Sequence, residues 1–538
     1  MNKLHRFGMA AAVFLMGAAA LSQSASYPPK GTPLHAKQEL VRSNGAEPET
    51  LDPANVETYA SMNVVNELFE GLTAVDAGGN VVPGIALSWK QVNPTTWVFN
   101  LRNKTVFSNG EPLTAQDFVY SWQRFFDPKT ASSYAGTFGM FLVNGTEIVE
   151  GKKLPGMLGV KALDAHTLEV KTPVPVPFMP SLVSNSQLVP VHRATVEKFG
   201  PNWTKPAHLV GNGPYLLRAA SVNNKIVVQK NSRYWDSANV NLTQVTFLPI
   251  DNQNADLLLY RSGETDMTFL IPPGSYAGLR ATYPQEIHNT PLLEISYFTL
   301  NRQDPLLKDV RVRKALSMVI DRDVLTQKIT AEGQIPLYGL MVKGTSGADV
   351  SSYAWATWPM TQRVAEAKKL LAQANVKAGT KLKISYATSD LAKKTIIFIS
   401  SEWKTKLGLA VEMENSEQRV HVKRLRDGDY QIGRYSWVVD YNDATSFLAV
   451  VQCGSAQNMT QGCSKEADAL AEQGNQSSDQ NLRKSLLSQS AALAMEDYPL
   501  IPMFQTTAAR LVKAYVGGYG QGNVQDRTRS KDLYILKH

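Results

Sequence analysis

Strand-forming and helix-forming runs alternate irregularly along this 538-residue chain, and the lack of a strict βαβ rhythm argues against a single parallel sheet. Trp97-Val98-Phe99-Asn100-Leu101 and Lys225-Ile226-Val227-Val228-Gln229 carry the β-branched and aromatic content of strands. Thr114-Ala115-Gln116-Asp117, opening onto Phe118-Val119-Tyr120-Ser121-Trp122, reads as an N-capped helix. Asp309 to Ile320 places Val310, Val312, Ala315, Leu316 and Val319 at helical spacing, and Thr361 to Ala374 does the same with Val364, Ala367, Leu370 and Leu371. Repeats and low-complexity runs are missing. The expected fold is a mixed α/β architecture in more than one lobe.

The amino terminus follows different rules. Lys3 and Arg6 precede an apolar, Ala-rich stretch from Phe7 to Leu21, and Ser22-Gln23-Ser24-Ala25-Ser26 supplies small residues for cleavage. The stretch is shorter than the ~20 residues that span a bilayer. A secretory signal peptide over 1–25, cut near residues 22–26, is therefore expected. No Cys stands at the cut, so a free periplasmic form is preferred to a lipid-anchored one. No later segment has membrane length.

Composition removes several function classes. The net charge of +8 falls to +6 without Lys3 and Arg6, too little and too diffuse for a nucleic-acid track. The eight histidines are scattered and no Cys-x-x-Cys exists, so neither a metal site nor a cofactor is expected. There is no G-x-S-x-G elbow, no H-E-x-x-H and no Walker loop, and an enzyme is not expected. Gly211-Asn212-Gly213-Pro214-Tyr215 lacks the third glycine of a dinucleotide turn and reads as a turn before a strand. Asp427 and Asp429 read as a solvated turn. Cys453 and Cys463, with Gly454 and Gly462 just inside them, are expected to form a disulfide in an oxidising compartment.

Several ordered stretches resemble the periplasmic oligopeptide-binding proteins that feed ABC importers. They are Leu51-Asp52-Pro53, Leu68-Phe69-Glu70-Gly71-Leu72, the run from Thr114 to Arg124, Asp309-Val310-Arg311-Val312-Arg313, Trp437-Val438-Val439-Asp440-Tyr441-Asn442-Asp443 and Tyr534-Ile535-Leu536-Lys537-His538. The resemblance runs from Lys37 to His538. It implies a two-lobed, three-domain α/β binding protein that closes about a hinge. Domain I would be 26–69, 194–293 and 508–538, domain II an insertion over 70–193, and domain III 294–507. The chain would cross between lobes near 293 and 507. The implied partners are an oligopeptide and an inner-membrane ABC permease, with no nucleic acid and a monomeric state.

The resemblance also implies ligand contacts. Asp440 of the W-x-x-D-Y-N pattern would receive the peptide α-ammonium, since a carboxylate in a closed cleft forms a charge-assisted bond that a neutral group cannot. Read from composition alone, Asp440 is an N-cap or turn residue before Ser446-Phe447-Leu448. Main-chain recognition would use Glu57-Thr58-Tyr59-Ala60 on one side and Tyr435-Ser436-Trp437-Val438 on the other, with the peptide added as a strand. Tyr134 and Tyr297 match aromatic cleft positions. At the far end of the ligand, Arg434 matches a retained arginine, whereas a histidine and an arginine for the ligand carboxylate read here as Ala392 and Leu425. Arg424 and Arg426 flank Leu425. A tryptophan position reads as Gln418, a cleft glutamate as Thr299, and the family's usual disulfide positions as Glu294 and Val438. Alternative ligands are cell-wall (murein) peptides, or a metal chelate, haem or amphiphile on the same fold. A secreted hydrolase ranks third because no nucleophile motif is present.

Overall fold

The computed structural model describes residues 28–520 and 522–538. The expected leader and its cleavage region lie outside the described residues. Three sheets organise the rest. The first, mixed sheet sets strand Glu39–Ser43 parallel to Gln244–Leu248, followed by Lys225–Lys230 and Tyr215–Ser221 in antiparallel pairing. The second is antiparallel throughout, in the spatial order Ala86–Asn93, Thr96–Leu101, Thr167–Lys171, Val160–Asp164. Helix Ala115–Phe126 packs into the core beside it through Phe118, Trp122, Phe125 and Phe126. Thr114 and Asp117 form a capping box at its start, which satisfies backbone donors that the first turn leaves unpaired. Both expected strands and all three expected helices are present, the latter two as Val310–Met318 and Met360–Gln373.

The third sheet has six strands of mixed direction. Two of them are long: β1 (Ile287–Leu300) and β3 (Leu500–Leu511), which pair antiparallel. β2 (Ile432–Val438) lies on the other side of β1, followed by Lys381–Ala387 and Ala410–Ser416, while Ile335–Pro336 pairs with β3. One end of the β1–β3 ribbon packs in a small core with Leu257, Tyr260 and Leu279, and the other contributes Phe298, Leu300 and Ile501 to a separate large core. Between these ends the register shifts at Pro291/Ile295 opposite Thr507 and Gln505. Proline cannot donate to the ladder, so the ribbon loses regular pairing there.

Close backbone packing explains the Gly211/Gly213 turn before strand Tyr215–Ser221. A Cβ at Gly211 would sit 2.1 Å from Leu68 O, and one at Gly213 would sit 2.5 Å from the Leu68 carbonyl carbon. Cys453 and Cys463 are bonded, with Cα atoms 5.1 Å apart. Glu294 and Val438 are direct cross-strand neighbours. Among the described residues, no helix is long and apolar enough to cross a membrane.

Candidate functional site

β2 is an interior strand at its start and an edge afterwards. It pairs with β1 from Ile432 to Val438 but with Lys381–Ala387 only at Ile432 and Gly433. Val439 N donates to Leu293 O, so the two-residue period turns the main-chain groups of Trp437 and Tyr435 toward β1 and those of Val438 and Ser436 outward. His421 Nε2 meets Arg434 O at 2.8 Å on that outward side. Ser436 and Val438 thus present a short template to which an extended chain can add.

Two residues beyond β2, Asp440 enters a cavity of about 270 Å³, which Val438, Glu57, Tyr59 and Tyr134 also line. Its carboxylate is not used as a helix cap. Helix Ala444–Leu448 is capped by Asp443, which accepts from Thr445 N at 3.1 Å and is held by Arg483 at 2.8 and 2.9 Å. On the other side of Asp440, Tyr441 stacks on Phe178 at a centroid distance of 4.2 Å and meets Phe141 edge-on at 5.6 Å. Asn185 Nδ2 donates to Asp440 O at 3.3 Å. The backbone is therefore held while the carboxylate makes no ion pair among the described residues. Burial raises its pKa to about 6, opposed by the Arg527 guanidinium farther away. A half-buried carboxylate that makes no ion pair is suited to receiving a cation. Burial, and secondarily the charge of Asp440, also raises the pKa of Tyr134.

Other expected residues behave differently. Glu57-Thr58-Tyr59-Ala60 does not form a strand edge. Thr58 caps helix α1 (Tyr59–Leu68), Met62 N takes Thr58 O at 2.9 Å, and Glu49 Oε1 accepts the amides of Glu57 and Thr58 at 2.8 and 3.0 Å. Glu49 occupies the amide donors and the first helical turn the Thr58 carbonyl acceptor that an edge would offer. Only the side chains of Glu57 and Tyr59 reach the cavity.

Tyr297 is 1% exposed and packs edge-on against Tyr435 in the core. It belongs to the core formed with Leu293 and Ile295 and is not among the residues that line the cavity. Trp437 packs against that same core and donates Nε1 to Ser446 O at 2.8 Å. Its contribution to an added strand would come from geometry, not from its ring.

Arg434 lies six residues before Asp440, roughly 20 Å along an extended chain. Its Nη2 donates to Ser296 Oγ at 3.2 Å, and Glu294 is its nearby counter-charge. Around it, Leu425 packs with Tyr430 and Met459, Ala392 is fully buried, and Thr299 bonds Tyr430 Oη at 3.0 Å. Arg424 is bound at 3.3 Å by both Glu414 and Asp429, while Arg426 is exposed. Asp427 pairs with Lys423 beside the Gly428 turn. Sequence reasoning missed Asn185 and Arg527 as cavity residues. Arg527 belongs to a mixed-charge run near the carboxyl terminus whose composition gives no sign of a cleft position.

A family model for bacterial extracellular solute-binding proteins, family 5 (middle region), matches residues 80–458. The periplasmic oligopeptide-binding protein OppA of Escherichia coli K12 is 40% identical over 514 residues, 95% of each chain. Among solved structures, the unliganded open form of the periplasmic murein tripeptide-binding protein MppA gives a TM-score of 0.88 at 36% identity, covering 95% of this chain and 99% of that one. Haemophilus influenzae OppA in complex with RPPGFSPFR gives 0.74 at 35% identity, covering 94% and 100%.

Proposed function

The chain belongs to the bacterial extracellular solute-binding proteins of family 5, and from that premise we propose that it is the periplasmic subunit of an ABC importer, capturing oligopeptides in a closing cleft between its lobes. The observation that carries this reading is the unpaired Asp440 carboxylate beside the open edge of Ser436 and Val438. The carboxylate would hold the ligand ammonium, and the edge would bind main chain irrespective of sequence. Glu57, Tyr59 and Tyr134 would enclose the first residue, and Arg434 would serve the distant carboxylate of short ligands.

In this reading the amino-terminal leader directs export and is removed near residues 22–26. The mature protein is a monomer that delivers its ligand to an inner-membrane permease and performs no chemistry on it. Domains I, II and III follow the limits given above, and the β1–β3 ribbon supplies the two crossings near 293 and 507. The register shift at Pro291/Ile295 lies at these crossings, where interrupted pairing leaves the backbone least constrained. Small-angle scattering with a saturating peptide tests the clamp. The radius of gyration should fall while far-UV circular dichroism stays unchanged, and superimposable curves would count against closure.

A further inference from the structure

The cavity that holds Asp440 has a second charge of opposite sign. Arg527 lines the same space, and its partners among the described residues are all neutral: Nη1 approaches Ser184 O and Oγ at 3.3 and 3.4 Å, and Nη2 donates to Asn185 Oδ1 at 2.6 Å. The same Asn185 amide reaches Asp440 O with its Nδ2, so a single side chain spans from the guanidinium to the aspartate backbone. The two opposite charges nevertheless make no ion pair with each other. They stand apart in one cavity, which the Glu57 side chain also lines, and neither is in an ion pair among the described residues.

We propose that Arg527 makes this end of the cleft selective for peptides whose first residue is acidic, Asp440 taking the α-ammonium and Arg527 the side-chain carboxylate. This rests on the assignment of Asp440 to the ligand ammonium. A first-residue aspartate or glutamate carries both charges on one residue, separated by a few bonds, which suits two protein charges joined through one amide. The guanidinium remains cationic at any physiological pH and has donors suited to carboxylate geometry. A ligand bearing both charges neutralises the pair at once, whereas one bearing only the ammonium leaves Arg527 with its neutral partners.

Calorimetry with Asp-Ala-Ala-Ala, Asn-Ala-Ala-Ala and Ala-Ala-Ala-Ala tests this on the wild-type protein and on Arg527→Gln and Arg527→Lys. In the wild type the Asp peptide should bind about tenfold or more tightly than its Asn counterpart. Arg527→Gln should erase or reverse that ratio, and Arg527→Lys should restore part of it. A purely structural role for Arg527 would weaken all three peptides together and leave the ratio intact. A wild-type ratio of one or below overturns the proposal even if Arg527→Gln does not fold, as does a ratio unchanged in a folded Arg527→Gln. If Ala-Ala-Ala-Ala binds while the Asp preference is missing, only the role of Arg527 falls. If none of the three peptides binds, the peptide reading of the site falls and this preference with it.

Discussion

The two ends of the cleft differ in how much charge they hold ready. At the Asp440 end a carboxylate and a guanidinium line one cavity without forming an ion pair, while at the Arg434 end the neighbouring Arg424 is ion-paired and Arg434 stays outside any ion pair among the described residues. There Arg424 is held by Glu414 and Asp429, Arg434 has Ser296 and Glu294 beside it, and the positions of Ala392 and Leu425 are apolar and buried. An end whose charges are unpaired gains most from a ligand ion, because the cost of desolvating the protein group has already been met in folding. An end with Arg434 as its half-buried cation outside an ion pair, and with apolar side chains at Ala392 and Leu425, discriminates less. Specificity in this protein should therefore concentrate at the ligand's amino terminus.

The largest effect expected from this contrast is at Asp440. Asp440→Asn should weaken binding of a free-amine peptide by roughly 2 to 4 kcal/mol, measured by calorimetry, because it leaves a desolvated ammonium without its counter-charge. An equal loss on Arg434→Ala would erase the contrast between the ends.

The pH dependence comes next. The Asp440 carboxyl titrates at about 6 in the free protein, and a bound ammonium favours its ionised form and lowers that value. Binding therefore releases a proton below about pH 6, and affinity should fall as pH drops through that point, approaching tenfold per unit well below it. Affinity that is flat between about pH 5 and 7 would mean that Asp440 does not meet the ammonium.

The same group sets a smaller effect on the unliganded protein. Its pKa is raised on folding from 3.8 to about 6, so the native state holds the proton more tightly than the unfolded chain. This contribution is fully present below about 3.8 and is lost as pH rises through about 6. At pH 7 Asp440→Asn should then stabilise the free protein by on the order of 1 to 2 kcal/mol, allowing for solvent screening at this half-buried site. Thermal denaturation would read this as a higher Tm for the variant, and a lower Tm would mean that the carboxylate has a stabilising partner.

The smallest effect is at the permissive end. Each added ligand residue moves the carboxylate by about 3.3 Å, and with no dedicated clamp, peptides of three to five residues should bind within about tenfold of one another. Arg434→Ala should weaken short peptides more than long ones, whose carboxylates reach water. A preference of about a hundredfold for one length would sharpen the comparison in the other direction, and Arg426 would be the first residue to test.

The sequence made the elements far more legible than the site. β-branched and aromatic content located the strand Thr96–Leu101, and apolar spacing located helix Met360–Gln373, because both signals are local. The role of Asp440 as cap or as cleft residue depended on which of two nearby aspartates the helix used, and Asp443 took the cap. Tyr297, expected in the cleft from the resemblance alone, packs in the core against Tyr435, a contact made across the sheet that no local pattern announces. Glu57 and Thr58 were expected to offer amides that Glu49, eight residues earlier, already accepts. Arg527 reaches the cavity through contacts with Ser184 and Asn185, more than 340 positions away, and no local pattern encodes such a distance.

The central claim is that a ligand ammonium meets the unpaired Asp440 carboxylate. Calorimetry of one tetrapeptide, Ala-Ala-Ala-Ala, with its amino terminus free and then acetylated, measures this most directly. Acetylation removes the charge and leaves every main-chain group beyond the first residue in place. The free peptide should bind at least about thirtyfold more tightly than the acetylated one, corresponding to roughly 2 kcal/mol or more. Equal affinity for the two forms would contradict the assignment and return Asp440 to a structural role.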